Sequence, residues 1–290
     1  FAEQVEAEFA HLQGGALTVP EAEFARLASF FTEPDYVAYS GDSTGYLKAR
    51  QENPAFDNWA HRNVSAHKIP GYAIVTLSLK RTGVAPGDMT AEQMDGIADL
   101  AERYSFAEIR TTHEQNIVLA DVAQDDLFEL YGELKKLGFD TANIGFLTDI
   151  ISCPGGDYCS LANAKSLPIA DSIQRRFDDL DTVYNIGPLN LNISGCMNAC
   201  GHHHVGHIGI LGVDKKGSEF YQVSLGGNQG HDASLGNILG PAFSAEAMPD
   251  VVEEIINTYL DLRTEGESFL AMYRRVGIAV FKERVYANAD

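Results

Sequence analysis

Apolar positions change period along this chain, and the changes divide it. Tyr72 to Lys80 reads Tyr-Ala-Ile-Val-Thr-Leu-Ser-Leu-Lys, rich in β-branched and aromatic residues, and predicts a strand. Gly83, Pro86 and Gly87 then make a loop. Thr90-Ala-Glu-Gln93 fits a capping box, in which the Thr90 hydroxyl accepts an orphan N–H and Gln93 reaches back. Met94, Ile97, Leu100, Ala101 and Tyr104 follow at helical spacing. Ala107 to Thr112 and Asn116 to Val122 predict two strands around the turn His113-Glu114-Gln115. From Asp125 a second helix carries Leu127, Leu130, Tyr131, Leu134 and Leu137 on one stripe, with Gly138 as a left-handed stop. The order βαββα is the core of a ferredoxin-like α+β sandwich.

The flanks are patterned differently. Glu3 to Leu12 and Pro20 to Phe31 have helical promise. Residues 32–60 are rich in turn formers (Pro34, Gly41, Gly45, Pro54) and predict a connecting segment that packs on something else. After residue 146, Ser160 to Ser166 predicts a short helix, and Pro168 opens another through Phe177. Leu189, Leu191 and Ile193 alternate with Asn190, Asn192 and Ser194, as in a half-buried strand. His207 to Val213 and Glu219 to Leu225 bracket Asp214-Lys-Lys-Gly217, a hairpin signal closed by Gly226-Gly-Asn228. Helices are expected at about 245–262 and 266–276, with Ile278 to Val285 as a last strand. The division is a connecting segment at 1–60, a ferredoxin-like half-repeat at 61–145 and a mixed α/β domain at 146–290.

Charge narrows the partners. With 21 Lys plus Arg against 41 Asp plus Glu, the net charge is −20, which argues against nucleic acid and against an anionic membrane surface. A small anion remains admissible where a local basic pocket overrides the global field. No apolar run approaches the roughly 20 residues that span a bilayer, and no signal peptide is expected. The first residue is Phe1, so a fragment or a processed form is expected. The expected compartment is the cytoplasm, where thiols stay reduced.

The cysteines change the picture most. All 4 lie in one stretch, as Cys153-Pro-Gly-Gly-Asp-Tyr-Cys159 and Cys196-Met-Asn-Ala-Cys200, with Gly155, Gly156, Gly195 and Gly201 around them. Two thiol pairs in short loops read as ligands of one metal centre. Structural zinc uses tighter pairs, and the first spacing is long for a zinc knuckle. An iron–sulfur cube is larger and accepts longer spacings, and glycine lets backbone N–H groups approach its sulfides. Spacing alone leaves the cube, zinc, and unligated or disulfide-bonded thiols all open. The histidines His202, His203, His204 and His207 follow directly. They suit a metal site or proton donors near neutral pH. Consecutive side chains on an extended segment point to opposite sides, which favours packing or a surface instead. Arg110 and His113 flank a strand end, where they serve either a surface ion pair or an anionic cofactor.

At these motifs the chain resembles the sirohaem-dependent sulfite and nitrite reductase haemoproteins, and in particular the C-terminal half of an assimilatory sulfite reductase β-subunit. The resemblance rests on the two cysteine pairs with Ser-Gly-Cys196-Met-Asn-Ala-Cys200-Gly, on Glu108-Ile-Arg110-Thr-Thr-His-Glu-Gln115-Asn116, and on Leu225-Gly-Gly-Asn228. It covers about residues 55–290. It implies a four-iron four-sulfur cluster on Cys153, Cys159, Cys196 and Cys200, with the Cys200 thiolate shared with sirohaem iron. It also implies sirohaem contacts from Asn198, Arg110, Thr112 and Gln115, since sirohaem's carboxylates need basic and amide donors. The implied reaction is the six-electron reduction of sulfite to sulfide, with nitrite to ammonia as the alternative. A non-enzymatic iron–sulfur or zinc module is the rival from another class. Electrons would come from a flavoprotein reductase subunit or a ferredoxin, since no G-x-G-x-x-G fingerprint follows a strand. Most of the family's Arg/Lys substrate cage comes from a first half-repeat that this chain lacks, so no catalytic residue is assigned. The histidine run also receives no role.

Overall fold

A computed structural model describes residues 1–39, 41 and 43–287. The chain divides into two compact units, Phe1–Ala38 and Tyr39–Asp290. The first holds α1 (Ala2–Ala10) and α2 (Glu21–Ala28), neither of which has a buried residue.

The second unit starts with α3 (Thr44–Glu52) and α4 (Pro54–Asn63), which replace the connector expected there. The turn formers misled because Pro54 occupies the first turn of α4, where its missing N–H costs nothing. Phe56 and Trp59 are fully buried, so α4 belongs to the core of the half-repeat. The half-repeat continues as β1 (Val64–Ala66), β2 (Tyr72–Leu77), α5 (Ala91–Tyr104), β3 (Arg110–Thr111), β4 (Ile117–Ala123) and α6 (Leu127–Leu137). Its sheet is antiparallel, in the order β1-β2-β4-β3, with β1 an unforeseen edge. The expected strand at 107–112 shrinks to two residues, because Phe106 and Ala107 adopt positive φ of 49° and 60°. Ile97, Leu100, Leu127, Leu130 and Leu134 bury the helix stripes. The Thr90 capping box forms with both bonds, and Gly138 stops α6 at φ 82°.

The cysteine-bearing part contains β5 (Ile151–Ser152), α7 (Leu167–Arg176), α8 (Leu180–Ile186), β6 (Leu191–Ser194), β7 (Ile208–Lys215), β8 (Ser218–Leu225), β9 (Asn237–Ile238), α9 (Met248–Leu262), α10 (Phe269–Val276) and α11 (Ile278–Ala287). Its sheet runs β5-β6-β7-β8-β9, parallel through β7 and antiparallel beyond. The hairpin turns on Lys216 and Gly217 at φ 59° and 83°, the positive angles that suit right-twisted strands.

Three expectations give way. Residues 160–166 are not helical, because the Asn163 and Ala164 N–H groups donate to Gly195 O at 2.9 and 3.0 Å. Strand β6 is buried on both sides rather than half-buried: Asn192 and Ser194 are 2% and 1% exposed. The Asn192 amide is accommodated there by donating to Gly201 O at 3.0 Å. Ile278 to Val285 is the helix α11, with Phe281 and Val285 turned into the core. Short apolar runs do not distinguish strand from helix by period alone.

Candidate metal centre

Parallel strands β5 and β6 end at the same side of the sheet, with Ser152 paired to Ile193. The loop after each carries one cysteine pair, at the carboxyl ends of strands where open α/β sheets place ligands. The Cys153 N–H donates to Ile193 O at 3.1 Å and extends the ladder by one residue. The two loops then meet through glycine. A Cβ on Gly195 would lie 2.8 Å from Gly155 Cα and 2.6 Å from Ala164 O, so only glycine allows that approach. A Cβ on Gly201 would fall 1.9 Å from Ile193 O. The second loop is therefore folded back against the strand that delivers it.

The thiols sit at graded depth. Cys153 and Cys196 are each 8% exposed, Cys159 is half-buried and Cys200 is exposed. The Gly195 N–H donates to Cys153 Sγ at 3.1 Å, and the Ser166 hydroxyl lies 3.5 Å from the same sulfur. Donors aimed at sulfur stabilise thiolate, the form that binds metal. Among the described residues no three His, Cys, Asp or Glu side chains gather closely enough for a single ion. An all-thiolate donor set on loops joined through glycine suits a cube.

The other expected residues fall in different places. Asn198 is exposed, inside the second cysteine loop. Arg110 is 57% exposed and donates from Nε to Glu108 at 2.5 Å, the surface ion pair weighed for it. His113 lies 3.9 Å from Glu114, also at the surface. The Thr112 hydroxyl oxygen accepts the N–H groups of Glu114 and Asn116 at 3.2 and 3.1 Å, so it shapes the turn. Gln115 bonds Ser152 through both ends of its amide. Its Nε2 donates to Ser152 O and its Oε1 accepts the Ser152 N–H, both at 2.8 Å.

The histidines form the crossover from β6 to β7. A Cβ on Gly209 would meet His203 O at 1.9 Å, so the run packs directly on β7. Burial, then the neighbouring His204, lowers the pKa of His203 to about 4. Burial also lowers that of His207, whose Nδ1 accepts the Asn190 N–H at 3.1 Å. His203 is therefore neutral near pH 7.

Sequence patterning missed a buried polar group beside this centre. Lys80 is fully buried, and its Nζ donates to Glu114 O at 2.6 Å and to Asp149 Oδ1 at 3.2 Å. The Asn116 amide donates to the same carboxylate oxygen at 3.0 Å, and the Gly145 N–H donates to Oδ2 at 3.0 Å. Burial lowers the Lys80 pKa, and Asp149 partly offsets this. No spacing rule links Lys80 to Asp149 across so many residues.

Residues 145–289 match the model of the nitrite and sulphite reductase 4Fe-4S domain, and residues 78–137 match the nitrite/sulfite reductase ferredoxin-like half domain. Sulfite reductase (ferredoxin) 2 of Mycolicibacterium paratuberculosis is 30% identical over 240 residues, covering 78% of this chain and 42% of that protein. Ferredoxin–nitrite reductase of Synechococcus elongatus is 30% identical over 214 residues, covering 70% and 40%. Among solved structures, the NirA protein of Mycobacterium tuberculosis superposes with a TM-score of 0.62 at 25% identity, over 76% of this chain and 41% of that one. Dissimilatory sulfite reductase I shares the fold, with a TM-score of 0.62 at 14% identity. The chain thus spans about two fifths of the curated relatives it matches.

Proposed function

Because the chain belongs to the nitrite and sulfite reductase family, we propose that it is the cluster-bearing part of a reductase of sulfite. One observation carries this reading. Two cysteine pairs stand at the ends of adjacent parallel strands, with their loops in glycine-to-glycine contact. Cys153, Cys159, Cys196 and Cys200 would hold a four-iron four-sulfur cluster. Cys200 is the exposed member of the set and the one open to a second group, here sirohaem. When bound, the cluster supplies electrons and sirohaem supplies the iron that takes the substrate.

The chain's own residues bind and orient. The Gly195 N–H donates to Cys153 Sγ. Exposed Asn198 and Arg110 would offer an amide and a cation to sirohaem's carboxylates, and the Thr112 hydroxyl would donate its proton. Nitrite is the second substrate reading, because relatives named for nitrite match at the same 30% identity as those named for sulfite. Relatives of both kinds carry ferredoxin in their names, so ferredoxin is the favoured electron donor.

Steady-state turnover of sulfite against nitrite by the full-length protein, with a reduced dye as donor, tests the substrate. Faster turnover of sulfite at equal concentration is expected, and preference for nitrite would reverse the assignment. Cys200→Ser should lose the haem absorption band. Full haem occupancy in that variant would contradict the shared thiolate.

A further inference from the structure

Strand β5 is the rim of its sheet, with β6 on one side only. Successive residues of a strand present their N–H and C=O groups to alternate sides. Cys153 points its N–H at β6, donating to Ile193 O. Ser152 therefore turns its N–H and C=O outward, where a further strand would pair. Unpaired rim groups leave a strand end free to fray and to re-aim the next residue of the chain. After Ser152, that residue is Cys153.

The amide of Gln115 takes both groups, at 2.8 Å each. The turn that carries Gln115 is itself fixed from several directions. Gln115 has φ 59°, an angle rarely held by a non-glycine residue without support. The Thr112 hydroxyl accepts the N–H groups on either side of it, from Glu114 and Asn116. Lys80 Nζ donates to Glu114 O, and the Asn116 amide donates to Asp149. Residues 114–116 thus each bond either the segment leading into Cys153 or the lysine buried against it.

We propose that Gln115 is a positioning residue for the metal centre: its amide closes the free rim of β5 and fixes the direction in which Cys153 presents its thiolate. This rests on the reading that the four cysteines hold a cluster. It moves Gln115 away from the sirohaem contact implied by the family resemblance, since both ends of its amide are committed to Ser152. The half-repeat then acts on the cluster through the main chain, without supplying a ligand.

The test uses the full chain, purified or reconstituted anaerobically with iron and sulfide, in four forms: unsubstituted, Gln115→Ala, Gln115→Glu and Leu134→Ala. Gln115→Glu keeps the length and the acceptor but removes the donor and sets a carboxylate against Ser152 O. Leu134→Ala destabilises the same half-repeat from its core without touching β5. Iron loss to a chelator and the electron paramagnetic resonance line shape of the reduced cluster are recorded. Both Gln115 variants should lose iron about 10-fold faster than the unsubstituted chain, the scale seen when groups that orient metal ligands are removed. They should also show a shifted line shape, while Leu134→Ala keeps the unsubstituted line shape whatever its melting temperature. An unchanged rate and line shape in the Gln115 variants would overturn the proposal and leave the cluster reading intact. So would a faster loss that Leu134→Ala matches at equal stability. An unsubstituted chain that binds no iron and sulfide would instead overturn the reading beneath it.

Discussion

Strand β6 lies inside its sheet and β5 lies on the rim, and the cysteine loops after them inherit that difference. β6 has neighbours on both sides, and its loop folds back on its own strand through Gly201. The Gly201 N–H donates to Ser194 Oγ at 3.1 Å, a bond between that strand and its own loop. β5 is two residues long and paired on one side. Its free side is closed by a glutamine from a turn 37 residues earlier in the chain. Yet Cys153 and Cys196 end up equally buried, at 8%. Equal burial of two cysteines is thus reached by a local route in one loop and a long-range route in the other.

The two routes should fail differently. Breaking the local one has the largest effect. Gly201→Ala puts a methyl group 1.9 Å from Ile193 O, and neither backbone can yield inside a packed sheet. A loss above about 4 kcal/mol is expected, read as absence of soluble folded chain. A melting temperature near that of the parent would show that the second loop has slack.

Breaking the long-range route costs less. Lys80→Met leaves Asp149 buried without its cation, at a cost of about 3 kcal/mol in chemical denaturation. The pH dependence carries its own signature. The folded Lys80 pKa is lowered from 10.5, so between the two values the unfolded chain binds more protons. Stability therefore rises with pH up to about 10.5 on this account and loses the contribution as pH falls through the lowered value. Melting temperature followed from neutral to alkaline pH should show that rise in the parent and a flatter profile in Lys80→Met.

The smallest effect belongs to the rim that neither route uses. Arg110 is more than half exposed in its pair with Glu108. Arg110→Ala should cost under about 1 kcal/mol of stability by thermal melting. A larger loss would mean that the turn depends on its guanidinium.

Legibility in the sequence follows the same division. Features written in adjacent residues were readable: the Thr90–Gln93 capping box, the left-handed Gly138, the turn at Lys216-Gly217 and the cysteine spacing with its family resemblance. Features that depend on distant partners were not. The family resemblance implies a sirohaem contact for Gln115, and nothing in the neighbouring residues points to its bonds with Ser152. Lys80 reads as the polar end of a strand, although Asp149 lets it be buried. Ser160 to Ser166 has helical composition, but its N–H groups are drawn to Gly195 O. Pro54 reads as a break and in fact opens α4, because proline punctuates a helix start as readily as a turn.

Both routes serve one claim, that four cysteines on two strand ends hold an iron–sulfur cube. Iron, zinc and acid-labile sulfide measured per chain on anaerobically purified protein test it directly. About four irons and four sulfides per chain are expected, with no stoichiometric zinc. A colourless protein with one zinc per chain and no labile sulfide would contradict it.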